Sequence, residues 1–201
     1  MTGKPFLLGL TGSIGMGKST TAAMFAEAGL PVWDADAAVH RLYDQGGAAV
    51  EPVKNLHAPA VVEGKVSRDA LKSWIATDKT ALQKIEALVH PLVAKDRAEF
   101  IAAQKPDTIV VLDIPLLFET GSAEKMDAIV VVSAPAEIQR ARVLERGTMT
   151  EAQFETILAK QTPDTEKRAR ADYVIETTTL EHARAAVQSV IEDVKRKMAD
   201  A

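Results

Sequence analysis

Between Gly12 and Thr20 the chain reads Gly-Ser-Ile-Gly-Met-Gly-Lys-Ser-Thr, which fits the spacing GxxxxGK[ST]. Glycines at 12, 15 and 17 let the backbone turn its N–H groups into a concave nest that cradles phosphate oxygens. Lys18 carries its charge on a stem long enough to reach β- and γ-phosphates, and the Ser19 hydroxyl is a hard oxygen ligand for Mg²⁺. The helix that follows aims the positive end of its dipole at the same anion. Gly12, Gly15, Met16, Gly17, Lys18, Ser19 and Thr20 are therefore expected to bind a nucleoside triphosphate, with Lys18 acting on the group being transferred. An ordinary strand-to-helix turn is the alternative, but average residue usage makes a chance match to the full pattern rare in a chain of this length.

The carboxylates come next. Asp34 follows Val32-Trp33 at the end of an apolar run, and in open α/β sheets ligands bind beyond the carboxyl ends of strands. A carboxylate there either accepts the proton of an attacking hydroxyl or orients Mg²⁺ through water, and the sequence leaves both roles open. Asp36 reads as the N-cap of the next helix or as a ligand contact. Asp113 ends Val110-Val111-Leu112 in the manner of a Walker-B acid that helps hold Mg²⁺, although acidic residues commonly end strands. Arg142 and Arg146, four residues apart, share a helix face and can set positive charge against a moving phosphoryl group, ahead of Arg140. Lys167-Arg168 with Arg170 reads as a solvated basic face. His40, His57 and His182 lack metal-ligand spacing. His90 precedes Pro91 at an expected helix start, where it caps, packs or touches substrate. Trp33, Trp74 and Phe118 are expected in the core.

Positioning these groups calls for a parallel sheet. Apolar strand-like runs occur at 6–10, 30–33, 108–112, 128–132 and 173–175, separated by helical patterns, as in a sheet covered by helices on both faces. About seventy residues separate the second run from the third, too many for a simple crossover. That insert reads as helical, with segments at 37–43, 68–75 and 79–89 and a further helix from Pro91 toward Ala103. Between the fourth and fifth strands, Ser133 is expected to cap a helix carrying Pro135 in its first turn, which Gly147 breaks. Thr150 and Gln153 then form a capping box for a helix running toward Gln161, making a basic helical hairpin suited to a lid. The C-terminal segment, 180–198, reads as an amphipathic helix with Thr178 and Glu181 at its start.

Composition narrows the function classes. The 201 residues suit one globular domain with sub-regions, and 24 basic against 28 acidic residues argue against broad nucleic-acid or anionic-membrane binding. Cysteine is absent, which excludes disulfides, thiolate catalysis and Cys-based zinc sites. No run approaches the ~20 apolar residues of a membrane span, and a cytoplasmic location is the simplest expectation.

Assembled, these residues resemble the dephospho-coenzyme A kinase family. The likeness rests on Leu10-Thr11-Gly12 with the phosphate loop, Asp34-Ala35-Asp36, His90-Pro91-Leu92, and Asp113-Ile114-Pro115-Leu116-Leu117-Phe118-Glu119. It continues through Gln139, Arg142, Arg146, Gln161 and Ala171-Asp172-Tyr173-Val174-Ile175, and so runs in order along nearly the whole chain. The segment Asn55-Leu56-His57-Ala58-Pro59 departs from it, standing where such sequences commonly carry a Phe-Gly pair.

The resemblance implies a P-loop NTPase fold, a three-layer α/β/α domain with a five-stranded parallel sheet, a helical CoA-binding insert and a helical lid. It divides the chain into a core of 1–35, 104–139 and 171–201, an insert of 36–103 and a lid of 140–170. The implied reaction is transfer of the ATP γ-phosphate to the ribose 3′-hydroxyl of dephospho-CoA, with Mg²⁺ as cofactor and no obligate protein partner. On that basis Asp34 is the base, Arg142 acts from the lid with Arg146 on the nucleotide, and Asp36, His90, Pro115 and Leu116 face the acceptor. Ser19 and Asp113 would hold the metal. A kinase for another small acceptor, such as a nucleoside monophosphate or a metabolite alcohol, and a non-catalytic nucleotide switch remain the alternatives.

Overall fold

A computed structural model describes residues 3–200. In chain order the elements are β1 (Phe6–Thr11), α1 (Lys18–Glu27), β2 (Val32–Asp34), α2 (Ala35–Tyr43), α3 (Val50–Leu56), β3 (Val61–Val62), β4 (Lys65–Val66), α4 (Arg68–Thr77) and α5 (Ala81–Ala102). There follow β5 (Ile109–Asp113), β6 (Ala128–Ser133), α6 (Ala136–Glu145), α7 (Glu151–Leu158), α8 (Asp164–Ala169), β7 (Tyr173–Glu176) and α9 (Leu180–Ala199). Two compact units divide the chain, one joining the segments up to Trp33 and from Gln104, the other Asp34–Ala103.

The first unit is built on a five-stranded sheet in the order β2-β5-β1-β6-β7. Every residue of β5 and β6 is buried, as expected of parallel strands covered on both faces, and this is why they read as unbroken apolar runs. β1 lies at the centre, pairing Leu8 with Val111 on one side and with Ala128 on the other. Leu8, Leu10, Val111 and Val130 meet Phe25 of α1 and Val187 and Ile191 of α9 in one apolar core. Phe25 and Leu10 are wholly buried, each worth ~1.5–3 kcal/mol relative to exposure.

Several helix starts differ from expectation. Ser133 caps nothing: it ends β6, and its hydroxyl donates to Asp164 Oδ2 at 2.7 Å, leaving α6 to begin after Pro135. Thr179, not Thr178, caps α9 by accepting from the His182 N–H at 3.1 Å, because the chain is still extended at Thr179. The Thr150–Gln153 capping box is present, with bonds of 2.8 and 3.3 Å. The short α8 had no periodic signal of its own.

The second unit has a separate core of Leu42, Val53, Val66, Leu71, Trp74, Ile85 and Val89. It is not wholly helical, since β3 and β4 form an antiparallel hairpin pairing Val61 with Val66. Its turn places Glu63 and Gly64 at φ 49° and 77°, the two left-handed positions of a tight hairpin. Pro91 does not start a helix but sits inside the 22-residue α5. The apolar stripe Ile85, Val89, Leu92, Val93 keeps packing through it, which outweighs the hydrogen bond that proline removes. The departing segment Asn55–Pro59 ends α3, and the His57 ring stacks on Trp74 at 4.3 Å.

Candidate active site

The phosphate loop leaves β1 and enters α1 at Lys18. Gly15 and Gly17 have φ of 78° and 87°, a left-handed backbone that side-chain-bearing residues adopt only with strain. Space forbids side chains as well. A Cβ on Gly15 would stand 2.6 Å from Val143 Cγ2 of α6, and one on Gly17 3.0 Å from Thr177 Oγ1 beyond β7. The Met16 N–H closes a turn on Ser13 O at 3.1 Å, and the Ala134 N–H reaches the Met16 sulfur at 3.1 Å. Ile14 is held on both sides of its backbone: Gln139 Nε2 donates to its carbonyl at 2.7 Å, and its N–H donates to Gln161 Oε1 at 3.2 Å.

Lys18 Nζ pairs with Asp113 Oδ1. The Asp113 side chain is fully buried at the end of β5, so the strand-end acid lies beside the loop lysine. Ser19 and Thr20 are exposed in the first turn of α1. Ser19 offers a hydroxyl and Asp113 an anionic oxygen, a hard donor set that fits Mg²⁺ shared with phosphates. Among the described residues no cluster of three or more His, Asp and Glu side chains could hold a metal unaided.

Arg142 and Arg146 line one cleft of about 380 Å³ with Gly17, Thr20, Thr21, Glu145, Thr177, Thr179, Leu180 and Ala183. Arg142 is half-buried and donates to Thr177 twice, to Oγ1 at 2.9 Å and to the carbonyl. Thr177 Oγ1 in turn donates to Met16 O at 2.7 Å, so one buried hydroxyl ties the arginine to the phosphate loop. No pattern marked Thr177, whose importance comes only from the fold. Arg140 points elsewhere, pairing with Glu155 at 2.9 Å and with Glu151 of α7.

Lys167 overturns the expectation of a solvated basic face, because its side chain is completely buried with Nζ 3.1 Å from Glu119 Oε1. The same Oε1 accepts from the Thr162 N–H at 2.8 Å. Burial pushes the Glu119 carboxyl up, but the Thr162 and Glu119 N–H groups and Lys167 outweigh it and hold the pKa below the usual carboxylate value. Only Arg168 and Arg170 of this run are exposed, and Arg170 stacks over Phe118 at 4.4 Å. Among the acceptor candidates in this unit, Pro115 accepts from the Thr11 hydroxyl at 3.1 Å through its carbonyl, and Leu116 is 42% exposed.

In the second unit, Asp34 caps α2 by accepting from the Ala37 N–H at 2.8 Å. Asp36 is therefore not the cap; it lies exposed in the first turn of that helix. His90 is exposed within α5 and starts no helix.

A phosphate loop leaving the central strand of this sheet places the chain among P-loop kinases. The fold is shared by a shikimate kinase from Acinetobacter baumannii, with a TM-score of 0.52 at 15% identity over 96% of this chain and 94% of that one. Within that class the chain belongs to the dephospho-CoA kinase family, whose profile matches residues 6–182. It is 64% identical over 198 residues to the dephospho-CoA kinase of Cereibacter sphaeroides, covering 98% of this chain and 100% of the relative. It is 61% identical over 190 residues to that of Ruegeria pomeroyi, covering 94% and 96%. A Thermus thermophilus protein of known structure superposes with a TM-score of 0.82 at 34% identity over 94% of this chain and 98% of that one. The dephospho-CoA kinase of Campylobacter jejuni shares the fold, with a TM-score of 0.71 at 24% identity over 95% and 98%.

Proposed function

We infer that this chain transfers the γ-phosphoryl group of ATP to the ribose 3′-hydroxyl of dephospho-CoA, giving CoA and ADP. The observation that carries the reading is the family match from residue 6 to 182, spanning the phosphate loop, the Asp113 strand end and the arginine cleft. In the reaction the 3′-oxygen forms a bond to the γ-phosphorus while the bond from that phosphorus to the β,γ-bridging oxygen breaks. The hydroxyl proton passes to a base, and ADP leaves with the bridging oxygen.

The residue roles follow from position and chemistry. The loop from Gly12 to Thr20 cradles the phosphates, and Lys18 moves from Asp113 onto the β/γ-phosphates when ATP arrives. Ser19 and Asp113 hold Mg²⁺, which neutralises charge on the phosphate oxygens when bound. ATP is placed in the cleft between Arg142, Arg146 and the Thr177–Leu180 turn, with Arg146 on the nucleotide and Arg142, directed by Thr177, set against the charge of the moving phosphoryl group. Asp34, the last residue of β2, is the proposed base for the 3′-hydroxyl. Residues 36–103 form the acceptor-binding insert, in which Asp36 and His90 are the proposed dephospho-CoA contacts; Pro115 and Leu116 are the acceptor contacts proposed in the first unit. Residues 140–170 form the lid, which excludes water and so protects ATP from hydrolysis. Both substrates are water-soluble metabolites, and the cytoplasm is the compartment proposed. Among the described residues no helix is long and apolar enough to cross a membrane.

The test is ADP release from purified protein with Mg²⁺ and ATP, comparing dephospho-CoA, AMP, CMP, shikimate and no acceptor, with product mass determined. Strong stimulation by dephospho-CoA alone, with one phosphoryl group gained by it, is expected. Stimulation by a different acceptor would replace the substrate, and none by any acceptor would favour a nucleotide switch.

A further inference from the structure

The reaction above assigns no work to Gln139 or Gln161, yet both end on Ile14. Gln139 comes from α6 and is 4% exposed; Gln161 lies beyond the end of α7. Their bonds are of opposite sense, since Gln139 donates to the Ile14 carbonyl and Gln161 accepts from the Ile14 N–H. A trans peptide is planar, with its C=O and N–H pointing in opposite directions.

Holding Ile14 O against Gln139 of α6 therefore turns the Gly15 N–H away from α6. Holding the Ile14 N–H on Gln161 likewise turns Ser13 O to the other side, where it receives the Met16 N–H at 3.1 Å and closes the loop. The Ile14–Gly15 plane needs an external hold because Gly15, at φ 78°, presents little steric resistance to a flip of that peptide, and a flip of the Ser13–Ile14 plane would break the Met16 N–H bond to Ser13 O that closes the loop. A flip of the Ile14–Gly15 peptide would exchange the Gly15 donor for a carbonyl oxygen on the face of a phosphate nest, where only donors attract the anion.

We propose that Gln139 and Gln161 are positioning residues that fix the Ser13–Ile14 and Ile14–Gly15 peptide planes in their phosphate-binding orientation. One glutamine belongs to α6 and the other to the segment after α7, so the loop is competent for ATP only while both elements are docked on it. The proposal rests on the kinase reading and names one residue at the edge of the lid, Gln139, and one within it, Gln161, that prepare the nucleotide site.

The opposite polarities supply the test. Gln161→Met removes the acceptor at similar volume and Gln161→Glu keeps it; Gln139→Met removes the donor and Gln139→Glu sets an acceptor against an acceptor. Amide exchange in ¹⁵N-labelled, nucleotide-free protein should show the Ile14 N–H exchanging about tenfold faster or more in Gln161→Met and near the parent rate in Gln161→Glu. In steady-state assays KM for ATP should rise about 10–100-fold in Gln161→Met, Gln139→Met and Gln139→Glu, the effect of orphaning a buried partner. Gln161→Glu should recover most of that loss, while KM for dephospho-CoA at saturating ATP stays within about 3-fold throughout. Equal behaviour of the two Glu variants, or a lowered melting midpoint with KM for ATP unchanged, would show that the glutamines only pack, and would overturn the proposal. If the parent protein shows no acceptor-stimulated turnover, the kinase reading fails, while Ile14 exchange and direct ATP binding by the same variants still decide the clamp.

Discussion

Replacing Glu119 by Gln probes the most consequential charge pair outside the phosphate loop. The Lys167 side chain is completely buried, and its ammonium lies 3.1 Å from a Glu119 oxygen whose side chain is 17% exposed. At an effective dielectric constant of 20 the gross attraction at that separation is ~5 kcal/mol. Glutamine keeps an oxygen for the Thr162 N–H and nearly the same volume, so the substitution removes charge and little else. Breaking a buried pair costs ~3–5 kcal/mol because it strands the remaining ion. Partial exposure of Glu119 puts the expected loss near ~3 kcal/mol, which in a protein of this size lowers Tm by ~6–12 °C. Thermal and urea unfolding of the nucleotide-free protein at pH 7 would measure it. Adding Lys167→Met to Glu119→Gln removes the stranded charge and should restore stability to within ~1 kcal/mol of the parent. The pH dependence has a definite sign. The folded Glu119 pKa is lowered, so its contribution is complete above the unfolded value and is lost as pH falls through the folded one. The gap between parent and Glu119→Gln should therefore close below about pH 4. A loss under ~1 kcal/mol at pH 7, or no recovery in the double variant, would refute the account of a buried ion held by its partner.

Asp34→Asn should lower kcat by ~10²–10⁴ if the carboxylate is the base, while leaving ATP affinity and Tm nearly unchanged, because Asn caps α2 as well as Asp does. Steady-state kinetics with a melting curve would decide, and near-normal kcat would remove Asp34 from that role. Thr177→Val deletes the hydroxyl that joins Met16 O to Arg142, and should raise KM for ATP about tenfold, with Thr177→Ser restoring it. The Asp78 carboxyl accepts from the Thr80 hydroxyl and N–H and faces Lys84, which hold its pKa down to about 2. Carboxyl ¹³C NMR should find that titration, with the associated stability present above about pH 4 and lost as pH falls toward about 2. Thr80→Val should move the pKa back toward the ordinary carboxylate range.

What could be read from the sequence was what local pattern determines. The phosphate loop, the five strands and the Thr150–Gln153 box each depend on residues within a few positions of one another. The β3–β4 hairpin escaped because two-residue strands have no periodicity, and only Glu63-Gly64 marked the turn. Pro91 lies inside α5 and not at a helix start because a core stripe carries the helix past it, and a rule about proline at helix starts does not register that stripe. The burial of Lys167 is hidden for a different reason: its neighbours Arg168 and Arg170 are exposed, and its partner Glu119 is remote in sequence. In the site, Lys18, Asp113, Arg142 and Arg146 were visible as residue types at meaningful spacings. Thr177, Gln139 and Gln161 matter through the particular backbone atoms they reach, and residue type alone does not encode those.

The position of β1 also sets the order in which the chain can acquire structure during synthesis. Its two neighbours in the sheet arrive late, since Phe6 pairs with Ile109 and Leu8 with Ala128, each about a hundred residues further on. The contiguous segment Asp34–Ala103, by contrast, contains its own core and emerges from the ribosome before either partner strand. Elongation at ~5–20 residues per second leaves β1 without its partner strands for several seconds while that segment is made. The nascent phosphate loop, bound to an unpaired strand, therefore cannot bind nucleotide until β5 and β6 have been made. Ligand-assisted folding is thus restricted to a chain made at least as far as β6, and the apolar Phe6–Thr11 strand needs shielding until then.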